Sequence, residues 1–124
     1  MKRKLAFILG LLVFLLSLYT VKFDSVKVRA SNGFPVHNLN THLNYTTIQA
    51  AIDANETLDE HTIFVDEGIY YEHVWVSKKL TVIGENRDTT IIDGNGTGVV
   101  VQLGTNVTLI NFTIRNGEYG VRIW

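Results

Sequence analysis

Among the carboxylates of the Gly-rich second half, Glu85, Asp88 and Asp93 lie near one another in sequence and are candidates for acid–base chemistry or for holding a cation. Glycoside hydrolysis needs two carboxyl groups roughly 5 to 9 Å apart. Asp93 has no acidic partner in the neighbouring repeat, where Asn116 aligns with it. Calcium takes about six to eight oxygen ligands, more than one or two carboxylates in a Gly-rich turn supply. His37, His42, His61 and His73 lack the tight spacing of a zinc or copper site. The chain has no cysteine, and its one methionine is Met1, so thiolate and soft copper ligation have no residues to use. No catalytic set and no metal set emerges, and no cofactor is expected.

The residue types that remain suit surface contact. Tyr70, Tyr71, Trp75, Tyr119 and Trp124 supply flat rings on which a sugar can stack. His73-Val74-Trp75-Val76-Ser77 alternates, which puts Trp75 on the face opposite its two valines. Arg115 and Arg122 fall on outward positions of the last repeat, and arginine pairs well with the carboxylate of an acidic sugar. Tyr71, Trp75, Arg115 and Arg122 are therefore the candidate carbohydrate contacts. The plainer account covers Trp75 with the lead-in or a loop and leaves both arginines on a solvated edge. Asn-x-Ser/Thr sequons at Asn44, Asn55, Asn95, Asn106 and Asn111 are candidate N-glycan acceptors in an exported chain. Asn and Thr are also what turns and outer strand faces use.

These residues sit on a repeating frame. Thr90-Ile91-Ile92-Asp93-Gly94 recurs as Thr113-Ile114-Arg115-Asn116-Gly117. Gly98-Val99-Val100-Val101 recurs as Gly120-Val121-Arg122-Ile123, and Leu80-Thr81-Val82-Ile83 as Val107-Thr108-Leu109-Ile110. A period in the low twenties built on short β-branched runs marks a solenoid. Three sides of one coil recur in one order, which favours a parallel β-helix over a sandwich of hairpins. Inward positions are Leu80, Val82, Ile91, Val99, Val101, Val107, Leu109, Phe112, Ile114, Val121 and Ile123. Outward positions are Thr81, Ile92, Val100, Thr108, Thr113, Arg115 and Arg122. Gly or Asn stands at nearly every corner, including Asn95, Asn106, Asn111 and Asn116, because sharp corners need positive φ. Ahead of the strands, Thr46-Thr47-Ile48-Gln49 has the form of a capping box with Thr46 as N-cap. Ile48, Ala51 and Ile52 then make one apolar stripe on a short helix.

The start of the chain reads as an export signal. Met1-Lys2-Arg3-Lys4 is basic, residues 5–21 run without charge, and Val28-Arg29-Ala30 precedes Ser31 as a cleavage candidate at Ala30 and Ser31. An uncleaved membrane anchor is the alternative, and it is the only membrane contact expected. Residues 31–44 form an extended lead-in, and residues 45–124 the solenoid. The 124-residue chain has a formal net charge of −1, which gives no electrostatic case for nucleic acid.

The ordered set of segments resembles the right-handed parallel β-helix superfamily with the pectin-lyase-like fold. Those segments are Tyr45-Thr46-Thr47-Ile48-Gln49-Ala50-Ala51-Ile52-Asp53-Ala54, Gly68-Ile69-Tyr70-Tyr71-Glu72, Lys79-Leu80-Thr81-Val82-Ile83-Gly84-Glu85 and the two repeats above. The resemblance is nearest to secreted archaeal and bacterial NosD-like and pectinesterase-like groups. It implies an all-β solenoid, a right-handed single-stranded parallel β-helix with a short N-terminal capping α-helix and about three coils. Gly68-Ile69-Tyr70-Tyr71-Glu72 resembles a Gly-x-Tyr-x-Glu segment of pectin methylesterases. Those enzymes take catalytic aspartates and glutamines from later coils, and this sequence has no Gln-Asp pair.

Three functions follow as expectations. The first is a secreted or surface-anchored β-helix protein, a non-catalytic scaffold or carbohydrate-associated module that meets a polysaccharide or cell-surface glycan. The second is the N-terminal part of a pectinesterase-type or lyase-type enzyme whose catalytic coils lie elsewhere. The third is a NosD-like metal-handling accessory. The chain reads as C-terminally incomplete, an N-terminal fragment; if complete, its last coil would favour end-to-end self-association.

Overall fold

The computed structural model describes residues 33–124. The export signal, with Ala30 and Ser31, lies outside the described residues. Eleven strands and one helix follow in order: β1 (Val36–Asn38), β2 (Asn44–Tyr45), α1 (Ile48–Asp53), β3 (Thr62–Val65), β4 (Gly68–Tyr70), β5 (Val74–Val76), β6 (Thr81–Gly84), β7 (Thr90–Asp93), β8 (Val99–Leu103), β9 (Thr108–Ile110), β10 (Thr113–Arg115) and β11 (Tyr119–Ile123). They form three sheets, ordered β2-β1-β3-β6-β9, β4-β7-β10 and β5-β8-β11. Every pairing from β3 onward is parallel. The chain visits the three sheets in turn and returns to the first, so each strand pairs with its counterpart one coil along. This is a parallel β-helix of three coils. The lead-in adds β1 and β2 to the first sheet, with β1 antiparallel to both β2 and β3.

Register builds the core from rows of like side chains. Ile63, Val82 and Leu109 form one row. Tyr70, Ile92 and Ile114 form the second. Val74 and Val101 form the third, beside Val76 and Leu103; Val121 and Ile123, expected inward, continue these rows on β11 but are exposed. Fully burying one such aliphatic side chain contributes about 1.5–3 kcal/mol. No single coil encloses its own row; the neighbour supplies the other half.

Three facing assignments made from the repeat are corrected: Ile91, expected inward, and Ile92 and Val100, expected outward. Ile92, expected outward, has no exposed surface, while Ile91 is half-buried on the other face with Ile69 and Thr113 as its register neighbours. The sequence repeat aligns Asp93 with Asn116, but the strands pair Asp93 with Arg115. A one-residue slip turns every side chain to the opposite face. Val100 is also fully buried, next to buried Val101. It folds into the β7–β8 corner, where a Cβ on Gly94 would meet its Cγ2 at 2.5 Å, and Gly117 faces the same methyl from the next coil. Small residues at both corners make that inward turn possible.

The capping box is corrected as well. Thr47, not Thr46, is the N-cap, its Oγ1 accepting the Ala50 N–H at 3.1 Å. Gln49 does not reach back. Glu72 takes that part from 24 residues away: its two carboxylate oxygens accept the Ile48 and Gln49 N–H groups, each at 3.0 Å. At the other end Lys78 Nζ donates to the carbonyls of Ile52, Ala54 and Thr57 at 2.6–2.9 Å. A helix of six residues cannot hold itself. It is held by β-helix side chains at both ends while Ile48, Ala51 and Ile52 cover the core. The corners at Asn95, Asn106, Asn111 and Asn116 have φ of 53–61°, as their residue type predicts.

Candidate functional site

The outer face of the β5-β8-β11 sheet gathers the residues best suited to contact. Trp75, Gln102 and Arg122 share one register row across the three strands. Strands in a sheet lie about 4.8 Å apart, so the row presents an indole, an amide and a guanidinium at close intervals. The helix fixes the indole end. Gln49 Oε1 accepts the Trp75 N–H at 2.8 Å, and Gln49 Nε2 donates to Trp75 O at 3.1 Å. One side-chain amide thereby pairs with the edge of β5 as a further strand would. Glu72 and Thr47 hold the turn that carries Gln49.

Trp124 follows β11, and its N–H donates to Leu103 O at 3.4 Å. The next position across, Gly104, has no side chain, and its N–H donates to Val76 O at 2.9 Å. The Trp124 ring lies over this gap beside Trp75, with centroids 6.1 Å apart and planes inclined by 36°. Any larger residue at 104 would fill the floor, and a Cβ there would already stand 3.1 Å from Val76 O. A cleft results, lined by Trp75, Ser77, Gly104, Thr105 and Trp124. A second hollow on the other side of Trp75 is lined by His73, Val74, Val99 and Gln102. His73 is fixed there, its Nδ1 2.9 Å from Val99 O. Trp75 is 52% exposed and Trp124 69%, so both rings still offer apolar surface to a ligand. The residues lining the two hollows include no carboxylate. Ring faces, amides, a hydroxyl and an arginine can bind polyols and anions.

The four candidate carbohydrate residues do not all meet. Trp75 and Arg122 share the face. Tyr71 is exposed in the turn after β4. Arg115 lies on β10, in another sheet, and its Nε donates to Asp93 Oδ2 at 2.9 Å. Asp93 also accepts from the Asn95 N–H at 2.9 Å and from Asn116 Nδ2 at 2.8 Å, and its side chain is only 4% exposed. The Asn95 N–H, then the Arg115 guanidinium, hold its carboxyl below the usual carboxylate range. Asp93 thus locks a corner stack. Tyr70 is structural as well: burial pushes its phenol up, and its OH donates to Asp66 O at 2.8 Å. Among the described residues no three His, Cys, Asp or Glu side chains group as a metal site.

Sequence reasoning grouped Trp124 with Trp75 among the aromatic rings but did not include Gln102 in the candidate surface. The signal was present as outward positions on equivalent strands, but reading it required the true register.

No family model matches the chain, and no solved structure matches it. It is similar to a cell surface glycoprotein of Methanothermus fervidus, 34% identical over 88 residues, which is 69% of this chain and 14% of that protein. It is also similar to a pectinesterase of Aspergillus niger, 45% identical over 56 residues, covering 41% of this chain and 17% of that protein. The chain spans less than a fifth of either curated relative.

Proposed function

We propose that this chain is an exported, cell-surface β-helix module that binds glycan through the outer face of the β5-β8-β11 sheet and carries no catalytic set of its own. The observation that carries this reading is the pair of exposed tryptophans with ring centroids 6.1 Å apart beside Gly104, Trp75 sharing its register row with Gln102 and Arg122. An exposed pair of large rings is costly to keep in water. Here the pair is braced from below by Gln49 and by the gap at Gly104, so it is a built feature. The basic-then-apolar N-terminus supports export, and the likeness to a cell surface glycoprotein supports surface display.

Titration of the full chain with polygalacturonate and with a neutral glucan, followed by tryptophan fluorescence, tests the reading. Emission should shift and saturate with at least one of the two, and Trp75→Ala, Trp124→Ala and Arg122→Ala should each weaken the response. A loss at Arg122 that affects polygalacturonate alone identifies an acidic sugar as the ligand. An emission spectrum unmoved by either polysaccharide sinks the proposal.

The likeness to a pectinesterase favours a second reading, in which this chain is the N-terminal part of a pectin-active enzyme. Release of methanol or of unsaturated product from pectin by the full chain would support it over the first.

A further inference from the structure

We infer that Asn106 is the most open glycan acceptor of the folded chain, that Asn95 is a slower one, and that the Asn55 and Asn111 sequons are closed by the fold. The inference concerns sugar attached to this protein and does not depend on the glycan-binding face.

Transfer of an oligosaccharide makes two demands of a sequon. The asparagine Nδ2 must reach the anomeric carbon of a lipid-diphosphate-linked sugar, and the hydroxyl two residues on must be open to the transferase. The Nδ2–C1 bond forms as the bond from C1 to the diphosphate oxygen breaks. The lipid diphosphate leaves with the electron pair, and Nδ2 gives up one proton to a base on the transferase. A hydroxyl or amide already committed inside the fold meets these demands only when the structure opens locally.

The five sites differ in this respect. Thr57, the hydroxyl residue of the Asn55 sequon, is 1% exposed. Its Oγ1 donates to Ala51 O at 2.7 Å and accepts from Asn38 Nδ2 at 2.9 Å. Thr113, which completes the Asn111 sequon, donates to Arg87 O at 2.7 Å. Asn44 stands in the β1–β2 pairing with its Oδ1 2.7 Å from His37 Nδ1, which holds the amide in one orientation, while Thr46 is exposed, so this sequon is restrained and not closed. Asn95 is exposed in a corner with φ of 53°, but Thr97 Oγ1 lies 3.3 Å from His73 Nε2 and 3.4 Å from Gly94 O. Asn106 is exposed at the tip of the β8–β9 corner, with φ of 60°. Thr108 is exposed at the start of β9, anchored through its backbone N–H to Leu80 O at 2.9 Å. Among the described residues no hydrogen bond occupies the Asn106 amide or the Thr108 hydroxyl. Both demands are met there without any opening.

The test compares the folded full chain with five short peptides, each carrying one sequon. Both are exposed to an oligosaccharyltransferase and its lipid-diphosphate-linked oligosaccharide, and occupancy is read by peptide mass mapping. The peptides remove the fold, so the Asn55 and Asn111 peptides should be modified about as well as the Asn106 peptide. In the folded chain, occupancy at Asn55 and Asn111 should fall at least about tenfold below Asn106, because their hydrogen bonds must open first. Thr108→Val keeps a β-branched residue in β9 and should abolish modification at Asn106 while leaving Asn95 unchanged. Asn106 left bare in the folded chain overturns the inference, and so does occupancy of Asn55 or Asn111 equal to that of Asn106.

Discussion

Lys78 shows how much one side chain carries at the residue scale. Its Nζ satisfies three carbonyls at the end of α1 and in the loop beyond it. Lys78→Met keeps the stem and strands those carbonyls. Hydrogen bonds to a charged group are worth about 1.5–3 kcal/mol each, and part is recovered from water. We expect a loss of about 2–4 kcal/mol in urea unfolding. Asp93 gives a pH signature. Its folded pKa lies below the unfolded value of about 3.9. Its stabilisation is therefore complete above about pH 5 and disappears as pH falls through the folded pKa. Asp93→Asn should be less stable than the parent at pH 7, and the gap should close in acid. A gap that persists undiminished at about pH 2 would show that charge is not the cause.

Register decides most at the element scale. Ile91 and Ile92 are neighbours of one type, yet β7 buries only the second completely. Ile92→Ala should cost about 2–5 kcal/mol, and Ile91→Ala much less. Comparable losses at the two sites would contradict the pairing of Ile92 with Tyr70 and Ile114. The corner after β7 makes a matching prediction. Gly94→Ala puts a methyl against Val100 Cγ2 and should destabilise by about 1–3 kcal/mol. Adding Val100→Ala removes the methyl clash, though Asn116 O still stands 2.8 Å from the new Cβ, so the double variant should lose less than the two single losses summed. Strict additivity in that cycle would mean the clash lies elsewhere. Much of this scale was legible early. The alternation in β5, the Asn corners and the three recurring strands follow from β-branched runs and from the need for positive φ. The register of β7 against β10 was not legible, because Thr-Ile-x-x-Gly matches better at an offset one residue away from the true one.

For the whole molecule, stability should follow the stack. The middle coil, β6 to β8, has pairing partners on both sides, and every residue of β11 is exposed. Amide hydrogen exchange should therefore be slowest in β6 and β8 and fastest in β11 and the turn before it. Uniform protection across all three coils would contradict nearest-neighbour stacking as the source of stability. The same arrangement explains why the candidate site spans coils. Trp75 belongs to the first, Gln102 to the second, and Arg122 and Trp124 to the third.

The sequence by itself determined that this is a stack of short strands, where its corners fall, and that a small amphipathic helix must cover part of it. Those features depend on local chemistry: period-two apolar runs, Asn and Gly at positive φ, and one apolar stripe. Only the tertiary structure decided which residue faces which. Glu72 caps a helix that starts 24 residues earlier, Gln49 closes the edge of β5, and Gly104 lets Trp124 lie beside Trp75. None of these is local, because in a solenoid the neighbour in space is a residue one coil away. Its identity depends on a register that a shift of one residue reverses.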